Sequence, residues 1–545
     1  MATEDQVKLP DVGPDSMEDK ASSDKRTVTV GPRGTEKVLL LLGLILATFC
    51  GSMNATVVST ALPRIASDMN ALDKMTWVAT AYLLTFNAFQ PLYGKFSDIF
   101  GRKPTILFAI LVFLLSSVGC ALSTNIIMLI VFRALQGMGG AGVISLVMII
   151  IADIFSLEER PKYQAAATGA FGLASVIGPL IGGAFVDKLT WRYDFWLNPM
   201  VGGVALIFIF FFLKLKRKRV PVKENLKRID YFGTLAEIAT IVCLLLPLNW
   251  GGSTYAWNSG IVIGLLVASV VLFAAFVCIE RYVAVEPVVP PRVFRKAVVS
   301  LVFLCQFTVG IGFLGMLYFA PLFFQVTYGV DSTASGIRLI PFMLGLVVAS
   351  IISSALLTVI GYYQPFIIFG SALIVVGFGL FYTLDESSSL GKQIGYILIV
   401  GLGLGNVLQM NTLVVQAISE ARDIAVVTAL CQFMNSMGGA LGVAIFGSVF
   451  SNKLSQNLQA LNPQVLEEAR QYNFTASYTA LWQLPENIRP ILIHQYVDAL
   501  HRVFLVGIPV TGIAFLASFF IRTPSIRTLY KQTPKNASKE SEESV

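Results

Sequence analysis

The stretch Gly94-Lys-Phe-Ser-Asp-Ile-Phe-Gly-Arg-Lys-Pro104 lies between two long apolar runs, and its reading decides the fold. Asp98 and Arg102 fall one helical turn apart at the end of the first run, while Gly101 and Pro104 force a tight reversal into the second. Opposite charges at a reversal between apolar helices describe a hinge at a membrane surface. Composition points the same way. Hydrophobic residues make up 55% of the 545 and charged residues only 13%, against about 25% charged in soluble domains, and mean hydropathy is +0.71. A bilayer-crossing helix needs about 20 apolar residues, and about fourteen segments reach that length. They begin near Val38, Thr76, Thr105, Ile126, Tyr163, Asp194, Tyr231, Gly260, Val298, Ala334, Pro365, Ile394, Ile424 and Val503. The chain is therefore expected to be an all-α polytopic membrane protein with no large soluble domain.

The divisions follow from these runs. Residues 1–37 are polar, charged and Pro/Gly-bearing, so they read as a disordered cytoplasmic tail, and the first helix itself directs insertion. Residues 38–214 form a six-helix N-terminal bundle. Residues 215–297 hold a basic cytoplasmic loop, two inserted helices and a linker. Residues 298–522 form a six-helix C-terminal bundle with an extracellular loop at 451–501, and 523–545 is a cytoplasmic tail.

Orientation comes from Lys and Arg in the short loops. Alternate loops carry Lys95, Arg102 and Lys103, then Arg160 and Lys162, then the run from Lys214 to Arg228, then Arg281, Arg292, Arg295 and Lys296. These loops and both termini are assigned to the cytoplasm. The run Lys214-Leu-Lys-Arg-Lys-Arg219 follows a membrane helix directly, so it reads as an anchor beside anionic lipid and not as a nucleic-acid site. The net charge of +7 has the same origin. All six cysteines fall within apolar runs, which indicates neither a disulfide framework nor a metal site. Asn473-Phe-Thr475 is a glycosylation sequon on the permissive side.

An internal echo suggests two related halves. Gly101-Arg-Lys-Pro104 after the second run has a counterpart in Gly361-Tyr-Tyr-Gln-Pro365 after the tenth, and Gly-rich fourth and fifth runs match Gly-rich twelfth and thirteenth runs. Paired halves place a solute path at their interface near the bilayer midplane. Charges inside the bilayer cost at least about 2.5 kcal/mol and mark function or internal pairing. In Arg133-Ala-Leu-Gln-Gly-Met-Gly-Gly140, Arg133, Gln136, Gly137 and Gly140 share one helix face. Arg133 is either a functional charge or a structural one bonded to carbonyls of the first helix. In Ala174-Ser-Val-Ile-Gly178-Pro-Leu-Ile-Gly182-Gly183, small residues recur every fourth position so that helix backbones approach closely, and Pro179 removes one backbone donor.

These motifs resemble those of the major facilitator superfamily. The hinge is similar to its loop signature G-x-x-x-D-x-x-G-R-K/R. Arg133 to Gly137 resembles the fourth-helix motif R-x-x-Q-G, whose arginine the resemblance links to substrate or proton coupling. Gly178, Pro179, Gly182 and Gly183 resemble the antiporter motif G-x-x-x-G-P-x-x-G-G, with Ala174 at its first glycine, and that implies export. Met53-Asn54-Ala-Thr56-Val-Val-Ser-Thr-Ala-Leu-Pro63 looks like L-D-x-T-x-V-x-x-A-L-P, with Asn54 where the family has Asp. Weaker matches occur at Trp191-Arg192-Tyr-Asp-Phe195 with Asn198-Pro199, Ile229-Asp230-Tyr-Phe-Gly233, and Ser335-Gly-Ile-Arg338 with Pro341. Together they cover about residues 38–522, and they resemble the fourteen-span drug:H+ antiporters, particularly fungal multidrug and toxin efflux pumps. The resemblance implies two six-helix bundles plus two inserted helices.

Asn54 carries no titratable proton, and replacements for an acid are few. His494 and His501 fall in or beside the outside loop, Glu237 falls in an inserted helix away from the central path, and Asp98 and Asp153 sit at helix ends as gate or cap groups. In the gate, Arg102 and Lys103 are expected to pair with nearby acids while Asp98 faces the positive end of a helix. A path for a weakly polar solute needs amides on apolar faces. Gln136, Gln325, Gln409, Gln432 and Asn435 are the main candidates, with Gln90, Gln306, Phe307, Tyr318 and Gln416 beside them; interhelical bonding explains each equally well. No nucleophile motif, metal set or P-loop occurs, so neither enzyme chemistry nor a cofactor is expected and an ion gradient is the energy source.

The expectation is a monomeric plasma-membrane efflux transporter, with a vacuolar or vesicle membrane as the alternative site. It exports a hydrophobic toxin, drug or secondary metabolite against protons. An importer of a nutrient or iron chelate, a vacuolar carrier and a non-transporting receptor are the alternatives, the last suggested by Asn54.

Overall fold

The computed structural model of the chain describes residues 34–525 and 528, apart from residues 70, 72–73, 216–223, 225–227, 253–254 and 471–477. Most of both tails, most of the basic run after Lys214 and the sequon at Asn473 thus lie outside the described residues. The long helices are α1 (Thr35–Asp68), α2 (Met75–Phe100), α3 (Arg102–Ala121), α4 (Ile126–Ile154), α5 (Arg160–Lys188), α6 (Arg192–Phe212), α7 (Tyr231–Trp250) and α8 (Gly260–Tyr282). They continue with α9 (Ala297–Tyr328), α10 (Ile340–Ile360), α11 (Gln364–Tyr382), α12 (Leu390–Ile418), α13 (Ile424–Gln459) and α14 (Arg489–Ser518). Among the described residues, 12 helices are long and apolar enough to cross a membrane. Helices α2 and α5, at 26 and 29 residues, also exceed the length a bilayer requires.

The two halves pair their helices in the same way. In the first, α1 packs on α5 and α6, α2 on α4, and α3 on α4 and α6; in the second, α9 packs on α13 and α14, α10 on α12, and α11 on α12 and α14. The echo at the reversals is also physical. Gly101 adopts φ +91° and Gly361 φ +80°, backbone that an L side chain resists, and each donates its N–H back into the helix it ends, to Ser97 and Leu357 respectively. The halves meet where α2 and α4 touch α13, and where α5 touches α10 and α12. Helices α7 and α8 form a separate pair, and α7 packs on α2 and α13.

The expected outside loop at 451–501 is shorter in the structure. Helix α13 runs on to Gln459, a short helix covers Pro463–Arg470, and α14 begins at Arg489 instead of near Val503. Hydropathy ends both spans early because Lys453, Asn457 and Asp498 are polar. They satisfy one another: Lys453 pairs with Asp498 at 3.2 Å, and Asn457 Nδ2 donates to the Gln495 carbonyl and to Asp498 Oδ2, both at 3.0 Å. The two helices can therefore extend together beyond their apolar length.

Candidate functional site

The hinge forms because Gly101 closes α2 and turns Arg102 back over its end. Arg102 donates to Asp98 Oδ1 at 2.5 Å, to Ser97 Oγ at 2.8 Å and, through Nε, to Asp153 Oδ2 at 2.6 Å. One guanidinium thus ties the ends of α2, α3 and α4, as its rigid fork permits. Lys103 departs from the expectation. Its ammonium lies 5.3 Å from the Phe210 ring of α6, a cation–π contact instead of an ion pair. One turn before Asp98, a Cβ on Gly94 would come within 2.9 Å of the Ala429 Cβ and 3.0 Å of the Ala425 carbonyl, so the hinge end of α2 lies against the first turns of α13.

A second anchor sits beside it. Glu286, in the linker after α8, accepts from Lys95 at 2.9 Å and from Arg228 at 2.7 Å. Burial pushes its carboxyl up, but the hydrogen bonds from Arg228 and Lys95 outweigh that and hold it below the ordinary value. The linker is fastened again by Arg292, which donates to Asp423 at 2.8 Å ahead of α13. That bond raises the Arg292 guanidinium above its usual value, against the effect of burial.

A buried polar network occupies the first half. Arg133 is 2% exposed; it donates through Nε to the Val78 carbonyl at 3.1 Å and through a terminal nitrogen to Gln136 Oε1 at 2.8 Å. Its carbonyl partner is on α2 and not on the first helix. The guanidinium also lies 4.4 Å from the Tyr82 ring centroid, and the Tyr82 hydroxyl faces Asn54 without closing a hydrogen bond. Asn54 Oδ1 accepts from Asn198 Nδ2 at 3.2 Å, and the same Nδ2 donates to Ser117 Oγ at 2.9 Å. Close helix approach makes this possible: a Cβ on Gly137 would collide with the Tyr82 carbonyl. Asn54 Nδ2, Gln136 Nε2, Asn198 Oδ1 and both carboxylate oxygens of Asp194 have no hydrogen-bond partner among the described residues. Native interiors pair nearly all such atoms, so their concentration here makes the network a candidate site.

The amides expected to line a path divide. Gln409 Nε2 donates across the halves to the Pro161 carbonyl at 2.7 Å and within its half to Ser354 Oγ at 2.6 Å. Gln164 Nε2 donates to Gln416 Oε1 at 2.9 Å, and Ser436 Oγ to Gln90 Oε1 at 2.6 Å. These are seam bonds joining α5 to α12 and α2 to α13. Gln325 instead donates to Ser335 Oγ at 2.9 Å, in the short helix Ser332–Ile337. Gln432 and Asn435 are half-buried on α13, and Asn435 Nδ2 has no partner among the described residues. Tyr318, on α9, has half its surface exposed.

In the small-residue motif, Ala174 is fully buried against Met53 and Val57 of α1, and Gly178 and Gly182 are buried in an α5 that runs unbroken through the motif. The side chain of Pro179 and the surroundings of Gly183 lie outside the described residues. Glu237 is buried on α7, whose Ile241 and Leu245 pack on Leu84, Ala88 and Met437 at the α2–α13 seam. His494 contacts Glu386 at 3.3 Å and His501 the Leu384 carbonyl at 2.6 Å, both away from the network. Asp194 was passed over within Trp191-Arg192-Tyr-Asp-Phe195. The available signal was a lone acid opening an apolar helix.

Comparison with known proteins gives one family. The family model described as Major Facilitator Superfamily matches residues 44–443. The MFS-type efflux pump MFS1 of Trichophyton rubrum is 38% identical over 79% of this chain and 82% of its own. The Aspyridones efflux protein of Neocamarosporium betae is 34% identical over 91% of this chain and 89% of its own. Among solved structures, the human organic anion transporter MFSD10 superposes with a TM-score of 0.58 at 14% identity, covering 90% of this chain and 100% of that one.

Proposed function

The chain belongs to the major facilitator superfamily, and from that premise we propose that it is an efflux transporter, not an enzyme, that exports a hydrophobic small molecule by alternating access driven by protons. Relatives named as efflux pumps support the direction. The observation that carries the mechanism is the seam. Side-chain hydrogen bonds of Gln164, Gln409 and Ser436 cross between the bundles, and bonds of this kind can part and re-form. The reading takes the hinge end as cytoplasmic, the spans as fourteen, the bundles as 38–214 and 298–522, and the protein as a plasma-membrane monomer. Asp98 and Arg102 act as gate, with Lys103 as their aromatic-seated neighbour. Arg133 and Asn54 belong to the coupling network, and Gln136, Gln432 and Asn435 face the solute path.

The test uses the full chain in phosphatidylcholine liposomes with an imposed pH gradient and a panel of radiolabelled lipophilic compounds. Accumulation against the direction of proton flow supports the proposal. Movement with protons points to an importer, and no movement of any compound in either direction points to a receptor.

A further inference from the structure

We propose that Asp194 is the group that carries the coupling proton, taking the place of an acid at position 54; this rests on the proton-driven reading above. The observation is the state of the side chain. Asp194 is 1% exposed, and neither oxygen meets a donor among the described residues. A carboxylate removed from water and given no donor is among the costliest groups a protein can bury, whereas the neutral acid fits. The placement is equally specific. Asp194 lies in the first turn of α6, four residues before Asn198, so the two share one face. Asn198 is bonded to Asn54 and Ser117. Its Oδ1 lacks a donor, and Asn54 Nδ2 lacks an acceptor. A neutral aspartic acid donates one hydrogen bond and accepts others; its anion only accepts. The network thus has unused capacity of both kinds beside a group that exchanges one kind for the other.

Among the described residues, the charged and titratable groups near the Asp194 end of α6 and of its neighbours are engaged elsewhere or exposed. On α1, Arg64 pairs with Asp68 at 3.2 Å, and Asp68 accepts from Trp191 Nε1 at 3.2 Å. On α6 itself, Arg192 donates to the Ala121 carbonyl and lies 4.6 Å from the Trp191 ring, and Tyr193 is exposed. On α3, Cys120 faces Gln136 Oε1 at 3.9 Å; on α4, Arg133 is held by Val78 and Gln136; Lys188 ends α5 at an exposed position. Among the described residues no cation pairs with Asp194. When the network opens to water, hydration and the positive end of α6 stabilise the anion. The Asp194 O–H bond then breaks with its electron pair remaining on oxygen, and the proton passes to water on the open side.

The deciding probe is the proton itself. Infrared difference spectra of the full chain in phosphatidylcholine liposomes, recorded across a pH step, should contain a protonated-carboxyl C=O band that disappears as pH rises. Asp194→Asn, which keeps the shape of the side chain, should lose that band, and Asp194→Glu should retain it at a shifted frequency. A band unchanged in Asp194→Asn overturns the assignment. Loss of the band while wild-type transport ignores the pH gradient shows that Asp194 titrates but overturns its coupling role together with proton drive, whereas an unchanged band beside gradient-dependent transport overturns the assignment alone, so the two failures are distinguishable.

Discussion

Replacing Gln416 by Leu tests the seam directly. Gln416 is 2% exposed and Gln164 1% exposed, and the bond between them joins α12 to α5. Removing the Gln416 amide leaves the Gln164 Nε2 donor buried without an acceptor while the seam is closed, but water reaches it when the seam is open. The closed state alone is therefore penalised, by about 1–3 kcal/mol, which moves the closed-to-open ratio roughly fivefold to 150-fold. Thr428 loses a donor from Gln416 Nε2 but still donates to the Ile424 carbonyl, so it adds little. Gln164→Leu should act in the same direction. The double variant replaces both partners with apolar groups of similar size, and such pairs are nearly neutral, so it should return towards wild type. Nitroxides on the exposed residues Glu158 and Glu420, in a background with lipid-facing Cys278 replaced by Ser, report the opening as a longer-distance population in pulsed electron paramagnetic resonance. Single variants without that population, or a double variant as open as the sum of the singles, refute the latch.

Three other changes test the remaining parts. Arg133→Ala should abolish transport without removing the protein from the membrane, because it orphans Gln136 and the Val78 carbonyl inside the network at about 1–3 kcal/mol; Arg133→Lys should restore charge but not the forked contact, and flux measured beside membrane abundance separates the two. Gly101→Ala places a side chain at φ +91° and should destabilise the fold by about 1–3 kcal/mol, read as a lower thermal unfolding midpoint in detergent. Glu286 lies below the ordinary carboxylate value in the folded protein, so its anchoring is present above that range and is lost as pH falls through its own lowered value. With a side chain 29% exposed it contributes less than about 1 kcal/mol, and Glu286→Gln should show, already at neutral pH, the faster amide exchange in residues 283–296 that wild type shows only on acidification.

The fold was legible because the bilayer imposes length and hydropathy on each helix, and Gly101 and Gly361 mark their reversals by chemistry that only glycine supplies cheaply. What hydropathy missed was polar residues that satisfy one another. Lys453, Asn457 and Asp498 look like loop in one dimension and like a helix pair in three. The hinge was legible for Arg102 and Asp98, since their spacing along the helix fixes their contact. It was not legible for Lys103, whose partner Phe210 lies on another helix.

The site was harder to read for a related reason. A buried amide looks the same in sequence whether it joins helices or receives a solute; the distinction lies in which helices its partners occupy. Gln409 and Gln416 turned out to bond across the halves, while Asn54, Gln136 and Asn198 bond within the first half and retain unused donors or acceptors. An importer, an exporter and a receptor could all share the seam. The proposed role of Asp194, a carboxyl group neutral in the closed protein and charged in the open one, is of use to a coupled transporter and would separate the three. The missing acid at position 54 therefore weighs less against coupling than the sequence suggests, because the amide there is bonded to Asn198, one turn from the buried acid Asp194 on the same helix face.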